Sequence, residues 1–146
     1  NRKAYSLDKK ASSVNQRGRE LIALRLMACV GQRFHSGTKA PTSLQMADEI
    51  GVSSRLVVQI LDGLLQSGLL VEVAGEETAY APGRRPDQIT IHDIFESLRA
   101  GQGRELATRD GPAKRVISEQ VDSIRRAEKD TASVTLQELI VRVGES

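Results

Sequence analysis

TSLQMADEIGVSSRLVVQILDGLLQSG, running from Thr42 to Gly68, is the stretch that decides the fold of this 146-residue chain. Thr42 suits a helix N-cap, because a threonine hydroxyl accepts a hydrogen bond from an N–H that the first helical turn leaves unpaired. A short helix over about 43–50 follows, with Leu44, Ala47 and Ile50 recurring at three-residue spacing on the face expected to be buried. Gly51 ends it as a left-handed cap, and Ala47 and Gly51 supply the small residues expected where two helices cross closely. Ser53 or Ser54 caps a second helix over about 54–67, whose core stripe is Leu56, Val57, Ile60, Leu61, Leu64 and Leu65. Its solvent side carries Val58, Gln59 and Asp62, and Gly68 stops it. A short capped helix, a tight glycine turn and a longer second helix make a helix-turn-helix.

Working outward, a preceding helix begins near Gly18 with Leu21, Ile22, Leu24, Leu26, Met27, Cys29, Val30 and Phe34. Apolar residues cover most of its circumference, which predicts a well-buried helix; His35-Ser36-Gly37 and Pro41 end it. Downstream, Leu69–Val73 reads as a strand, Gly75–Thr78 as a turn and Ala79–Ala81 as the returning strand, with Pro82–Pro86 as an extended connector. Thr90 and Asp93 form a capping box for a helix buried through Ile91, Ile94, Phe95 and Leu98. After a loop over Gly101–Gly111, a helix over about 112–130 carries Val116, Ile117, Val121 and Ile124 on one stripe, and Thr135 with Glu138 opens a helix over about 136–143. The fold class is mainly α with a small β-hairpin wing: a winged helix-turn-helix plus C-terminal helices. Residues 1–17 form a basic extension, 18–100 the winged-helix domain, and 101–146 the loop and C-terminal helices. Those last helices either pack back on the first helix or pair two chains into a homodimer.

Aromatic residues make up only 3% of the chain and tryptophan is absent, so the core is aliphatic. The net charge of +2 conceals a strong asymmetry. Residues 1–40 hold Arg2, Lys3, Lys9, Lys10, Arg17, Arg19, Arg25, Arg33 and Lys39 against Asp8 and Glu20, a net +7. Residues 42–81 hold Arg55 against Asp48, Glu49, Asp62, Glu72, Glu76 and Glu77, a net −5. Phosphate contacts come chiefly from Lys and Arg, so this balance argues against DNA as the partner of the helix-turn-helix. No apolar run approaches the roughly 20 residues of a membrane span.

Several segments resemble the C-terminal cytoplasmic part of YihY/BrkB-type inner-membrane proteins, formerly labelled ribonuclease BN. They are Arg19–Met27, the helix end from Phe34 to Gly37, Pro41-Thr42, Ala47–Val52, Leu56–Glu72, Tyr80–Arg84 and Ile89–Arg99. The resemblance implies a non-catalytic winged-helix tail on the cytoplasmic side of a bacterial inner membrane, acting in regulation or protein contact. Its partner would be the upstream membrane domain or another protein. The basic residues Arg2, Lys3, Lys9, Lys10, Arg17 and Arg19 would then face anionic lipid. The chain is also similar to the IscR/NsrR-type iron–sulfur winged-helix regulators, which implies a free DNA-binding transcription regulator. In that alternative Ser53, Ser54, Arg55 and Gln59 contact nucleic acid. The three cysteines which that family places in the loop corresponding to Gly101–Gly111 are missing here, so an iron–sulfur cluster is excluded there.

No residue pattern points to catalysis or to a cofactor. Cys29, the single cysteine, lies in the most apolar helix and reads as a buried, inert thiol. His35 and His92 stand 57 positions apart without a carboxylate cluster, which does not make a metal site. Ser12-Ser13 and Ser53-Ser54 have no histidine in motif spacing, and Gly101-Gln102-Gly103 does not follow a strand. Arg84-Arg85 belong to a solvated connector.

Overall fold

The structure, a computed structural model, describes residues 14–100 and 106–145. Helix α1 spans Gln16–Ser36, capped by the Asn15 side chain accepting from the Gly18 N–H and closed by Gly37 at φ 68°. Helix α2 spans Ser43–Ile50 and α3 spans Ser54–Gln66. The wing is β1 (Leu70–Val73) paired antiparallel with β2 (Ala79–Pro82), in the register Leu70↔Pro82 to Val73↔Ala79. Helix α4 spans Ile91–Arg99, α5 spans Pro112–Thr131 and α6 spans Leu136–Gly144. This is the expected winged helix-turn-helix with C-terminal helices.

The predicted caps form. Thr42, Thr90 and Thr135 each complete a reciprocal capping box, with Gln45, Asp93 and Glu138 respectively. Each satisfies two N–H groups that the first turn would otherwise leave unpaired. The core gathers the inner faces of α1, α3 and α4, the start of the wing, and α6: Leu26, Met27, Leu56, Leu61, Leu64, Leu69, Ile94 and Leu136 are at most 1% exposed. Burying each such side chain contributes roughly 1.5–3 kcal/mol against exposure, and the core is aliphatic apart from the ring of Tyr80.

Four expectations need correction. Leu44 is 60% exposed and Met46 takes the buried place, because α2 rests on its neighbours through Met46 and Ala47. Gly51 is required by its backbone, at φ 85°, and not by close packing: a Cβ there would meet nothing within 4 Å. Helix α1 is not buried all round, since Leu21 and Phe34 are 56% and 58% exposed. Finally, the connector after the wing is not wholly extended, because Pro86–Gln88 make one 3-10 turn.

The wing is tied to the helix-turn-helix by a remnant third strand. Thr42 forms an isolated bridge to Ala79, and the Tyr80 N–H donates to the Pro41 carbonyl at 3.0 Å. The start of α2 and the wing are therefore joined through their backbones. The C-terminal helices behave differently from each other: α6 packs on α1, while no residue of α5 is buried.

Candidate nucleic-acid interface

Helix α3 is held by its inner face and offers its outer one. Leu56, Val57, Ile60, Leu61 and Leu64 are at most 2% exposed. The opposite face carries Ser54, Arg55, Val58, Gln59 and Asp62, all exposed. Their spacing of i, i+1, i+4, i+5 and i+8 is one stripe of an α-helix. Ser53 is 6% exposed, and its hydroxyl accepts from the Leu56 N–H at 3.2 Å. Of the four residues named from sequence, Ser53 is therefore the cap that starts the helix, and Ser54, Arg55 and Gln59 project from it.

The surroundings revise the charge argument. Glu49 does not face the same way as Arg55: its carboxylate accepts from the Cys29 thiol at 3.2 Å and pairs with Arg33 at 3.5 Å, in the crevice between α1 and α2. Asp62 and Glu72 lie close enough to Tyr80 to raise its phenol pKa, second to the effect of burial. They belong to the C-terminal half of α3 and the body of the wing, away from the N-terminal turn, the part that enters the groove in DNA-reading helices. Two arginines just beyond the acidic window are engaged away from that N-terminal turn. Arg84 donates to the Ser67 carbonyl at the end of α3, and Arg85 pairs with Asp87 at 2.7 Å. A sum over residues 42–81 therefore does not measure the charge at the exposed N-terminal end of α3. Arg17 and Arg19 open α1; Arg2, Lys3, Lys9 and Lys10 lie outside the described residues.

Cys29 is half-buried, and its thiol pKa is raised to about 11. Burial is the main cause, followed by the hydrogen bond to Glu49 and its negative charge, with Arg33 opposing. The reactive thiolate is thus nearly absent at neutral pH. Alkylation by iodoacetamide at pH 8 should run about tenfold or more slower in the folded protein than in urea, where the unperturbed pKa returns. Equal rates in the two states would contradict the geometry.

The profile of the Rrf2 family, described as iron-dependent transcriptional regulators, matches residues 18–142. Among solved structures, CymR (YrzC), the global cysteine regulator of B. subtilis, is 25% identical, with 85% of this chain and 94% of that one covered at a TM-score of 0.65. IscR of T. potens shares the fold at 20% identity, with 91% and 90% covered and a TM-score of 0.66. The oxidized form of Staphylococcus aureus CymR does so at 21% identity, with 87% and 96% covered and a TM-score of 0.64. No curated protein sequence matches the chain.

The iron in the family's description finds no fitting donor set here. The chain's one thiol faces Glu49 from α1, and the described residues hold no group of three or more His, Cys, Asp or Glu able to hold a metal. A thiolate-held cluster needs several cysteines, and the sequence has one.

The family match also overturns the YihY/BrkB resemblance, and with it the membrane-protein context, the ribonuclease BN label, the upstream membrane domain as partner and the anionic lipid surface that context supplied. The segments that carried it, the capped helix starts, the Ile50-Gly51 turn and the Leu69–Glu72 strand, are requirements of the winged helix itself and not of a membrane tail. No helix of the described residues is long and apolar enough to cross a membrane. The expectation that DNA is an unlikely partner is overturned by the same match to a family of transcriptional regulators, although Glu76 and Glu77 do lie exposed in the turn of the wing. With 18–142 matched, nearly the whole described structure, this chain belongs to the Rrf2 family.

Proposed function

We propose that the protein is a transcription regulator that binds duplex DNA as a homodimer, reading each half-site with the N-terminal half of α3. The observation that carries this reading is the exposed stripe Ser54, Arg55, Val58 and Gln59 on a helix whose other face is locked into the core. A helix so held presents its side chains to a major groove without an ordering cost at binding. Membership of a family of transcriptional regulators supports the same assignment.

The dimer reading rests on α5. This 20-residue helix, about 30 Å long at the usual rise, has no buried residue, yet Val116, Ile117 and Ile124 are 58–62% exposed and Val121 37%. A continuous apolar stripe on a long projecting helix is the kind of surface that a partner covers. Self-pairing about a two-fold axis places two copies of α3 for a palindromic site. The protein acts without an iron–sulfur cluster, so an iron chelator should leave its DNA affinity unchanged.

Titration of the protein into labelled duplex DNA at several salt concentrations tests the function. Affinity should fall with salt at a log–log slope of about −0.9 per phosphate contacted. Arg55→Ala should either lower that slope by about one contact or weaken binding by roughly 1–3 kcal/mol with relaxed preference at one base pair. Absence of salt-dependent binding would discard the reading.

A further inference from the structure

Val58 is the residue on the reading face that folding does not explain. Its neighbours Val57 and Ile60 are at most 2% exposed, whereas Val58 is 39% exposed and lies one turn beyond Ser54, on the side of α3 opposite Leu56 and Ile60. Every other member of the stripe, Ser54, Arg55, Gln59 and Asp62, is polar. A β-branched residue is a weak choice for an exposed helical position, because its χ1 freedom is lost against the preceding turn. Here that same stiffness holds two methyl groups in one direction, between the polar groups of Ser54 and Gln59.

The major groove offers one apolar feature, the C5-methyl of thymine, and side-chain methyl groups pack against it. We infer that Val58 reads a thymine methyl, so that each half-site contains a thymine recognised by van der Waals contact with this side chain. Arg55, one helical turn ahead on the same face, holds the duplex close enough for that contact, and the polar neighbours leave the methyl pair as the only apolar element of the stripe. This inference rests on the proposed DNA-binding function and adds a base identity to it.

Deoxyuridine differs from thymidine only by that methyl group, so it isolates the contact. A binding site is first selected from a randomised duplex pool with the full chain, and each thymine is then replaced singly by deoxyuridine. Wild-type protein should lose about fourfold in affinity at one thymine per half-site, the effect of one carbon returned to water. Val58→Ser should bind thymine and deoxyuridine equally at that position, with an unchanged salt slope, and Val58→Ile should retain the discrimination. Circular dichroism melting of both variants verifies that the helix persists. A wild-type protein indifferent to every substitution, or a Val58→Ser protein that still discriminates, would overturn the inference while leaving DNA binding intact. Failure to bind any duplex would remove the functional reading and this inference with it.

Discussion

Ile117→Glu should yield a folded monomer whose affinity for a two-half-site duplex is lower by about 100-fold or more. The residue is 62% exposed in a single chain, and α5 contributes nothing to the core. A charge there costs the monomer little, within about 0.5 kcal/mol as for other surface substitutions. In a self-paired α5 the same position meets its own copy or a neighbour across a two-fold axis, and each protomer would bring an unpaired carboxylate into an apolar seam. The two reading helices would then engage DNA separately, and the avidity from linking them, typically 10²–10⁴-fold, would be lost. Light scattering and DNA titration on the same sample decide the matter. A dimer that survives the substitution, or a monomer that retains wild-type affinity, would rule out α5 as the joint between readers.

Most of the architecture was legible because its signals are local. A threonine followed three residues later by Asp or Glu marks α4 and α6, Thr42 alone marks α2 as a cap, and the structure adds Gln45 to complete a third box there. Gly37, Gly51 and Gly68, each at positive φ, mark three ends where a Cβ would strain the backbone. What sequence could not supply was which apolar residue wins a place in the core. Leu44 and Met46 are two positions apart on a two-turn helix, and only the direction from which α1 and α3 approach selects Met46. Likewise Leu136 and Ile140 read like the α5 stripe in composition, yet they are buried because Gly31 leaves room for them on α1.

The exposed face of α3 was legible as residues, and the charge around it was misread. Ser54, Arg55 and Gln59 follow from helical phase alone. Their partner does not follow from a count of carboxylates between two sequence positions, because folding sorts charges by direction. Glu49 turns toward Arg33 and Cys29, and Asp62 and Glu72 gather near Tyr80. In the proposed complex the surface that matters to a phosphate backbone is a few residues wide, and Arg55 stands exposed in the first turn of α3. The family resemblance failed for a related reason. Caps, turn glycines and core periodicity identify a fold, and a fold is shared by tails and regulators alike.

The same logic locates the strongest effect on stability at the root of the projecting helix. Leu136 is fully buried, and its N–H donates to the Ile89 carbonyl at 2.7 Å. Beside it the Ile91 N–H donates to Val134 and the His92 N–H to Ala132, both at 3.0 Å, and Thr90 bridges Thr135. This strap binds the start of α4 to the end of α5, and α6 pins it against α1 through Leu136 and Ile140. Leu136→Ala leaves a cavity under the strap and should cost about 2–5 kcal/mol, the range for a buried leucine truncated in a packed core. For a chain of this length the melting temperature should drop by roughly 2–4 °C per kcal/mol. The backbone amides of Ile91, His92 and Leu136 should lose hydrogen-exchange protection before those of α3, since the strap opens first. Ile124→Ala, at a side chain 58% exposed, should leave monomer stability nearly unchanged by comparison. A melting shift below about 2 °C for Leu136→Ala, or uniform loss of protection across α3 and the strap, would show that α5 is not held by this anchor.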